Sequence, residues 1–350
     1  MQQRTEPLIA AWLLICCFMV FMIIVVGGIT RLTHSGLSIV EWQPFIGTLP
    51  PLNDQQWQET FAKYQLTPEY RQVNFAMGIA EFKGIFWWEY FHRLLGRLIG
   101  FVFFIPYALL LLRRRLHGPL AWKLLGIFLI GGLQGAMGWY MVKSGLVDDP
   151  RVSHLRLTAH LGIAFVIFAA MFWVALDLLP PRRQPDPPDP PDAPDPRLAG
   201  LRRFAGALAA LVFLTALTGG LVAGIRAGFA YNTFPLMNGQ WVPSEIFMIE
   251  PRYLNFFNNM ATVQFDHRLL AWLLAFLVPW FWWRLLAAVP GPRTRLAAHL
   301  LLGALTVQIA LGIATLLLAV PIPLAAVHQA GAVLVFAAAL YAAHELRRNA

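Results

Sequence analysis

His92-Arg93-Leu94-Leu95 and His267-Arg268-Leu269-Leu270 are the same four residues, 175 positions apart. Each stands near the start of an apolar run long enough to cross a bilayer. Gln134-Gly135-Ala136-Met137-Gly138 is matched by Gln308-Ile309-Ala310-Leu311-Gly312 at a shift of 174. Two further histidines, His160 and His328, follow at a shift of 168, the connection before the last run being about six residues shorter. Matches in one order at nearly one spacing predict an internal duplication.

Composition sets what is duplicated. The chain has 350 residues, 58% hydrophobic and 13% charged. A soluble domain carries roughly twice that charged fraction. Eight apolar runs, near 8–28, 90–112, 121–142, 157–179, 203–224, 263–286, 296–319 and 325–345, approach the length a bilayer helix needs. The first lacks a clear small-residue cleavage site and is read as a retained helix. No arginine- and serine-rich transit segment precedes it, which favours a bacterial protein. Pro180–Pro196 holds nine prolines and four aspartates in 17 residues and no bulky aliphatic side chain. It cannot build a core and reads as an extended linker. The predicted domains are residues 1–179, with a long outer loop over 29–89, then a linker at 180–200, and residues 201–350. Each half has an even number of runs, so the copies share one orientation. The predicted fold is an all-α polytopic membrane protein, with eight transmembrane helices in two tandem four-helix bundles. A pseudo-two-fold axis along the membrane normal would relate them.

The net charge of +9 follows the topology, not nucleic acid. Basic residues cluster in the short connections: Arg113, Arg114, Arg115 and Lys123, then Arg182, Arg183, Arg197, Arg202 and Arg203. Arg284, Arg293 and Arg295, and finally Arg347 and Arg348, continue the series. That side is expected to be the cytoplasm, with both termini on it, in a bacterial inner membrane. Two long connections, about 29–89 and 225–262, lie opposite. They are too rich in aromatics to read as disordered and are expected to fold as caps.

His92, His160, His267 and His328 all enter from the outer side. Side chains of this kind are costly inside a membrane, which makes each a site candidate. Zinc sites want four ligands close together. Each half offers two imidazoles on separate helices, which is what the axis of a six-coordinate haem iron needs. His34, His117, His154, His299 and His344 read as interfacial or structural. Cys16 and Cys17 are adjacent, have no other cysteine to pair with, and read as small packing residues.

Glu89 stands three residues before His92, on the same helical face, inside Phe86-Trp87-Trp88-Glu89-Tyr90-Phe91-His92. Burial among aromatics suits it to proton transfer or to stabilising a cation on a bound substrate. Asp266 points away from His267 and is not its equivalent. Arg93, Arg97 and Arg268 lie within a turn of candidate ligands and could pair with haem propionates.

The run Glu81-Phe82-Lys83-Gly84-Ile85-Phe86-Trp87-Trp88-Glu89-Tyr90-Phe91-His92-Arg93 resembles a signature of the haem A synthase family. So do Tyr231-Asn232-Thr233-Phe234-Pro235-Leu236-Met237 and Val263-Gln264-Phe265-Asp266-His267-Arg268-Leu269-Leu270. Gly27-Gly28-Ile29-Thr30-Arg31-Leu32-Thr33 with Ser35-Gly36-Leu37-Ser38 also fits. The resemblance spans all eight runs and is nearest the mitochondrial and proteobacterial branch. It implies oxidation of the C8 methyl of haem O to a formyl group by successive hydroxylation, giving haem A for the terminal oxidase. It maps the substrate-haem ligands to His92 and His160, the haem b ligands to His267 and His328, and the catalytic carboxylate to Glu89. Haem O, a haem O synthase, an electron acceptor and membrane lipid are the partners implied, and a homo-oligomer is left open. The cysteine pair that some members carry in the first outer loop is missing here, which excludes a thiol relay.

The histidines alone fit a di-haem electron carrier, which alters nothing chemically, equally well. A haem-handling transporter is a further alternative. Glu89, with no acidic counterpart beside His267, favours an enzyme with one reactive and one relay half.

Overall fold

The computed structural model describes residues 2–41, 49–147, 150–179, 196–288 and 291–348. Eight of its helices are long and apolar enough to cross a membrane. They are α1 (Gln2–Leu32), α4 (Ile79–Leu112), α5 (Gly118–Ser144), α6 (His154–Leu178), α7 (Pro196–Gly224), α9 (Met260–Ala287), α10 (Pro292–Leu317) and α11 (Ile322–Arg348). Three short helices, α2 (Asp54–Gln65), α3 (Pro68–Gln72) and α8 (Asn255–Asn258), lie in the two long connections. Large side chains such as Phe18, Leu112, Trp122 and Phe276 are exposed on the spans, as a lipid-facing surface requires. Of the linker expected at 180–200, residues 180–195 lie outside the described residues, and 196–200 already belong to α7.

The helices are longer than the apolar runs. The largest difference is α4, which begins at Ile79 rather than near 90. Glu81, Lys83 and Glu89 dilute the hydropathy of its first turns, yet the backbone is already helical there. The Glu81 carboxylate accepts the Gly78 N–H at 3.0 Å and closes the end. His92 therefore sits in the fourth turn of its helix, not near its start. His160, His267 and His328 sit in the second turn of theirs.

By contact density the chain divides into two units, Phe18–Ile167 and Met1–Cys17 with Phe168–Ala350. The sequence halves part at the linker, whereas the contacts part inside α1 and α6. In the second unit, α7 packs on α9, α9 on α10, α10 on α11, and α11 back on α7, closing a four-helix ring. Phe281, Leu285, Leu301 and Val333 are buried in it. His344 is fully buried and bonded to Asp177 at 2.9 Å, with Arg347 on the same carboxylate. His299 accepts from Trp282 Nε1 at 2.9 Å. Both contacts suit the structural role expected of these histidines.

In the Phe18–Ile167 unit, the first long connection folds back on α4. Asn53 caps α2 and Thr67 caps α3, with Pro68 at the first helical position. Trp57, Phe61 and Tyr64 then pack on Phe82, Phe86 and Tyr90. Tyr64 lies 5.1 Å from Phe82, and Trp57 meets Phe86 edge-on at 4.9 Å. Each such pair adds about 0.5–1.5 kcal/mol beyond its buried area. This aromatic cap fixes the turns of α4 that carry Glu89 and His92.

Candidate functional site

Each of the four histidines lies against a glycine on a neighbouring helix. A methyl group at Gly138 would stand 3.0 Å from His160 Cε1, and one at Gly312 would stand 2.8 Å from His328 Cε1. Gly219 faces His267 Cε1 at 3.2 Å, and Gly27 faces His92 Nε2 at 2.9 Å, in the same sense. Real Cβ contacts are rarely this short, so no larger residue fits without displacing a ring. α1, α5, α7 and α10 thus supply the glycines, and α4, α6, α9 and α11 the histidines. His92 and His160 are within electrostatic reach of each other, as are His267 and His328. All four rings are half-buried.

The glutamine–glycine repeats are the cradles of the second histidine of each pair. Gln134 and Gly138 lie one turn apart on one face of α5, and Gln134 Nε2 is 3.4 Å from His160 Nε2. Gln308 and Gly312 do the same on α10, where Gln308 Nε2 donates to the His328 carbonyl at 2.8 Å. Gln308 crosses α11 where only Gly331 leaves room. The backbone of Gln134 faces the His160 ring and that of Gln308 faces His328. The contacts are electrostatic only, since neither Nδ1 completes a well-aligned hydrogen bond.

Glu89 is buried and saturated. Ser38 Oγ and Ile39 N–H donate to Oε2 at 2.7 and 2.8 Å. Arg93 Nε and Nη2 donate to Oε1 at 3.0 and 2.7 Å. The acid expected to be bare among aromatics is instead surrounded by donors. That arrangement suits a fixed negative charge more than a mobile proton. The Ser35-Gly36-Leu37-Ser38 segment delivers one of those donors, Ser38 Oγ, and the next residue, Ile39, delivers the second as the chain turns back after α1.

The equivalent place in the other unit holds Gln264, three residues before His267. Gln264 Oε1 accepts from Arg268 Nη2 at 2.9 Å, and its Nε2 donates to the Ala227 carbonyl at 2.8 Å. Arg93 and Arg268 play one part. Arg93 also donates to the Ile39 and Glu41 carbonyls at 2.7 and 3.0 Å. Arg268 donates to the Tyr231 and Thr233 carbonyls at 2.7 and 2.9 Å. The Tyr231–Met237 motif is therefore the backbone partner of Arg268, and both arginines pin a long connection to its helix. Arg97 is half-buried one turn further along α4. Among the described residues, no three His, Cys, Asp or Glu side chains cluster as a metal cage. The histidines meet as pairs.

The chain matches the cytochrome oxidase assembly protein family (COX15-CtaA) over residues 10–340. The chain belongs to that family. It is similar to Heme A synthase of Nitrosospira multiformis, 62% identical over 341 residues, covering 97% of this chain and 94% of the relative. Heme A synthase of Nitrosomonas eutropha is 57% identical over 340 residues, covering 97% and 93%. Heme A synthase of Paramagnetospirillum magneticum is 48% identical over 343 residues, covering 97% and 94%.

Several residues around the site of this cytochrome oxidase assembly family member were not singled out from sequence. Gln264 was detectable, since it lies 175 positions after Glu89, the shift that relates His92 to His267. Thr215 and Thr218, which contact His267, carried no signal. Glu69 on α3 is buried, and its Oε2 has no hydrogen-bond partner among the described residues. Its carboxyl is pushed up to about 8 by burial and then by the charge of Glu89, against the pull of Arg31 and a bond from Tyr64. Burial likewise raises the Tyr64 phenol.

A folded-state value raised above the ordinary 4.5 means that the native cap binds the Glu69 proton more tightly than the open chain. This stabilisation is fully present below pH 4.5 and is lost as pH rises through about 8. Protection factors of the amides in 54–72 are expected to fall between pH 6 and pH 9. Glu69→Gln, which keeps the shape and cannot ionise, is expected to abolish that fall. An unchanged pH profile in the variant would show that Glu69 does not control the cap.

Proposed function

We propose that the chain is a haem A synthase that oxidises the C8 methyl of haem O to a formyl group. The reading rests most on one contrast. Both histidine pairs sit against glycines of neighbouring helices, but one has a buried carboxylate at Glu89 where the other has the neutral amide of Gln264. One half is thereby equipped for charge development on a substrate, and the other is not. His92 and His160 would hold the iron of the substrate haem O, with the reacting methyl near Glu89. His267 and His328 would hold haem b, and the glycine seats that place two imidazoles in reach of each other fit such a group. When bound, haem b supplies a one-electron relay.

Each hydroxylation removes two electrons and one proton from the carbon as a C–H bond breaks, and water then adds its hydroxyl to that carbon and releases a second proton. The resulting gem-diol loses water to give the aldehyde. A cationic methylene at the first step is what the Glu89 charge would stabilise. Arg93 holds that charge in place, and Ser38 and Ile39 N–H fix its direction. The electrons require an acceptor outside the chain, and a haem O synthase is the reaction that supplies the substrate. Arg97, with the donors that Arg93 and Arg268 have left over, would meet propionates. Short basic connections set the orientation, with both termini cytoplasmic and the histidine ends of the helices toward the periplasm.

Pigment extracts from cells with and without the chain test the reading. Formyl haem should accumulate only with it, and the haem O pool should fall correspondingly. A haem O pool left unconverted beside a haem-loaded protein would instead make the chain a di-haem electron carrier.

A further inference from the structure

The two histidine pairs differ in how their first ligand is held. Thr218 Oγ1 lies 3.0 Å from His267 Nδ1 and 2.8 Å from the Thr215 carbonyl. The His267 ring also faces the Thr215 backbone carbonyl. A carbonyl only accepts, so Nδ1 carries the proton and the Thr218 hydroxyl accepts from it while donating to Thr215. His267 is therefore fixed in one tautomer, with the Nε2 lone pair free for a metal. The matching stretch of α1 reads Val26-Gly27-Gly28 where α7 reads Thr218-Gly219-Gly220, and Ile23 stands where α7 has Thr215. Neither α1 residue carries a side-chain donor or acceptor. Among the described residues, no hydrogen bond reaches the His92 ring. It also presents Nε2 and Cδ2 to Gly27, at 2.9 and 3.2 Å from a methyl built there, whereas the other three rings present Cε1.

We propose that Thr218, backed by Thr215, is the positioning residue that makes the His267–His328 pair a permanent haem site. Val26, at the matching place, leaves His92 an exchangeable ligand. This rests on the assignment of His92 to a substrate that must leave and of His267 to a resident haem. An outer hydrogen bond on a ligating imidazole orients the ring and raises its basicity, and its loss costs about 10- to 100-fold in metal affinity. The enzyme would thus encode retention and release in one hydroxyl rather than in the ligands themselves.

The test uses the full-length protein purified with haem, in wild-type, Thr218→Val, Thr218→Ser and Val26→Thr forms. Transfer of haem to excess apomyoglobin and the haem midpoint potential are measured for each. Thr218→Val should lose the otherwise retained haem about 10- to 100-fold faster and shift its potential. Thr218→Ser, which keeps the hydroxyl, should behave as wild type. Val26→Thr should slow release of the other haem. If Thr218→Val matches wild type in both measurements while wild type is haem-loaded, the proposal is wrong and the proposed function stands. A wild-type protein that takes up no haem overturns both.

Discussion

Replacing Glu89 by glutamine is expected to leave a protein that still binds haem but, on the proposed function, converts haem O at least about a hundredfold more slowly. The variant removes the charge and keeps the volume. His92 and His160 are untouched, and their glycine seats remain. Product formation should fall while the absorption bands of the bound haem persist. Full activity in the variant would remove Glu89 from the chemistry.

The second unit shows why the effect cannot be reduced to shape. Gln264 is a glutamine in the same relation to Arg268, and it is well satisfied. Its amide N–H₂ meets a carbonyl, that of Ala227. At Glu89 the corresponding oxygen meets Ser38 Oγ and the Ile39 N–H instead. Ser38 can reverse its role and accept, but a backbone N–H cannot. Glu89→Gln therefore also opposes an amide donor to Ile39 or, if flipped, to Arg93. Such a mismatch costs about 1–3 kcal/mol. Stability is consequently measured beside activity, and Ser38→Ala serves as the control. It removes one bond to the carboxylate and leaves its charge. Ser38→Ala should lower activity far less than Glu89→Gln does. Equal losses would make the loop contact, not the charge, the important feature.

The spans and the four histidines were legible from sequence because both depend on quantities that local sequence carries. Apolar runs of bilayer length declare themselves, and His92 and His267 sit in identical strings. The first turns of α4 were missed because Glu81 and Lys83 make them look polar, although Phe82 and Phe86 bury against α2. That packing is tertiary and leaves no run. The partners of the arginines were hidden in a different way. Arg93 and Arg268 are engaged by backbone carbonyls, which every residue possesses and no motif marks. Thr218 illustrates the same limit. A threonine in a span is unremarkable until the ring opposite it is known. The glycines of the two glutamine–glycine repeats were seen as a repeat, but their meaning came from the imidazole each one faces.

Gly312→Ala gives the largest expected loss of haem from a single methyl group. The added carbon would lie 2.8 Å from His328 Cε1 and 3.5 Å from both ring nitrogens. Something must shift. The ring cannot withdraw without leaving the pair it forms with His267, and the α10 backbone is held in a closed ring of helices. Overpacking of this kind costs about 1–3 kcal/mol. Borne by the liganded geometry, that is about a 5- to 150-fold loss of affinity. Gly303→Ala on the same helix is the control, because a methyl there meets nothing within 4 Å. It also removes the same backbone freedom, so any general effect of alanine on α10 appears in both variants. Purified Gly312→Ala should carry much less of the haem proposed for His267 and His328, while Gly303→Ala should carry the wild-type amount. Since the His92–His160 pair is seated on other glycines, haem O should still bind to Gly312→Ala. Its oxidation should nevertheless slow as the proposed relay haem is lost. Retention of the full haem complement in Gly312→Ala would mean that His328 is not a ligand in the geometry seen here.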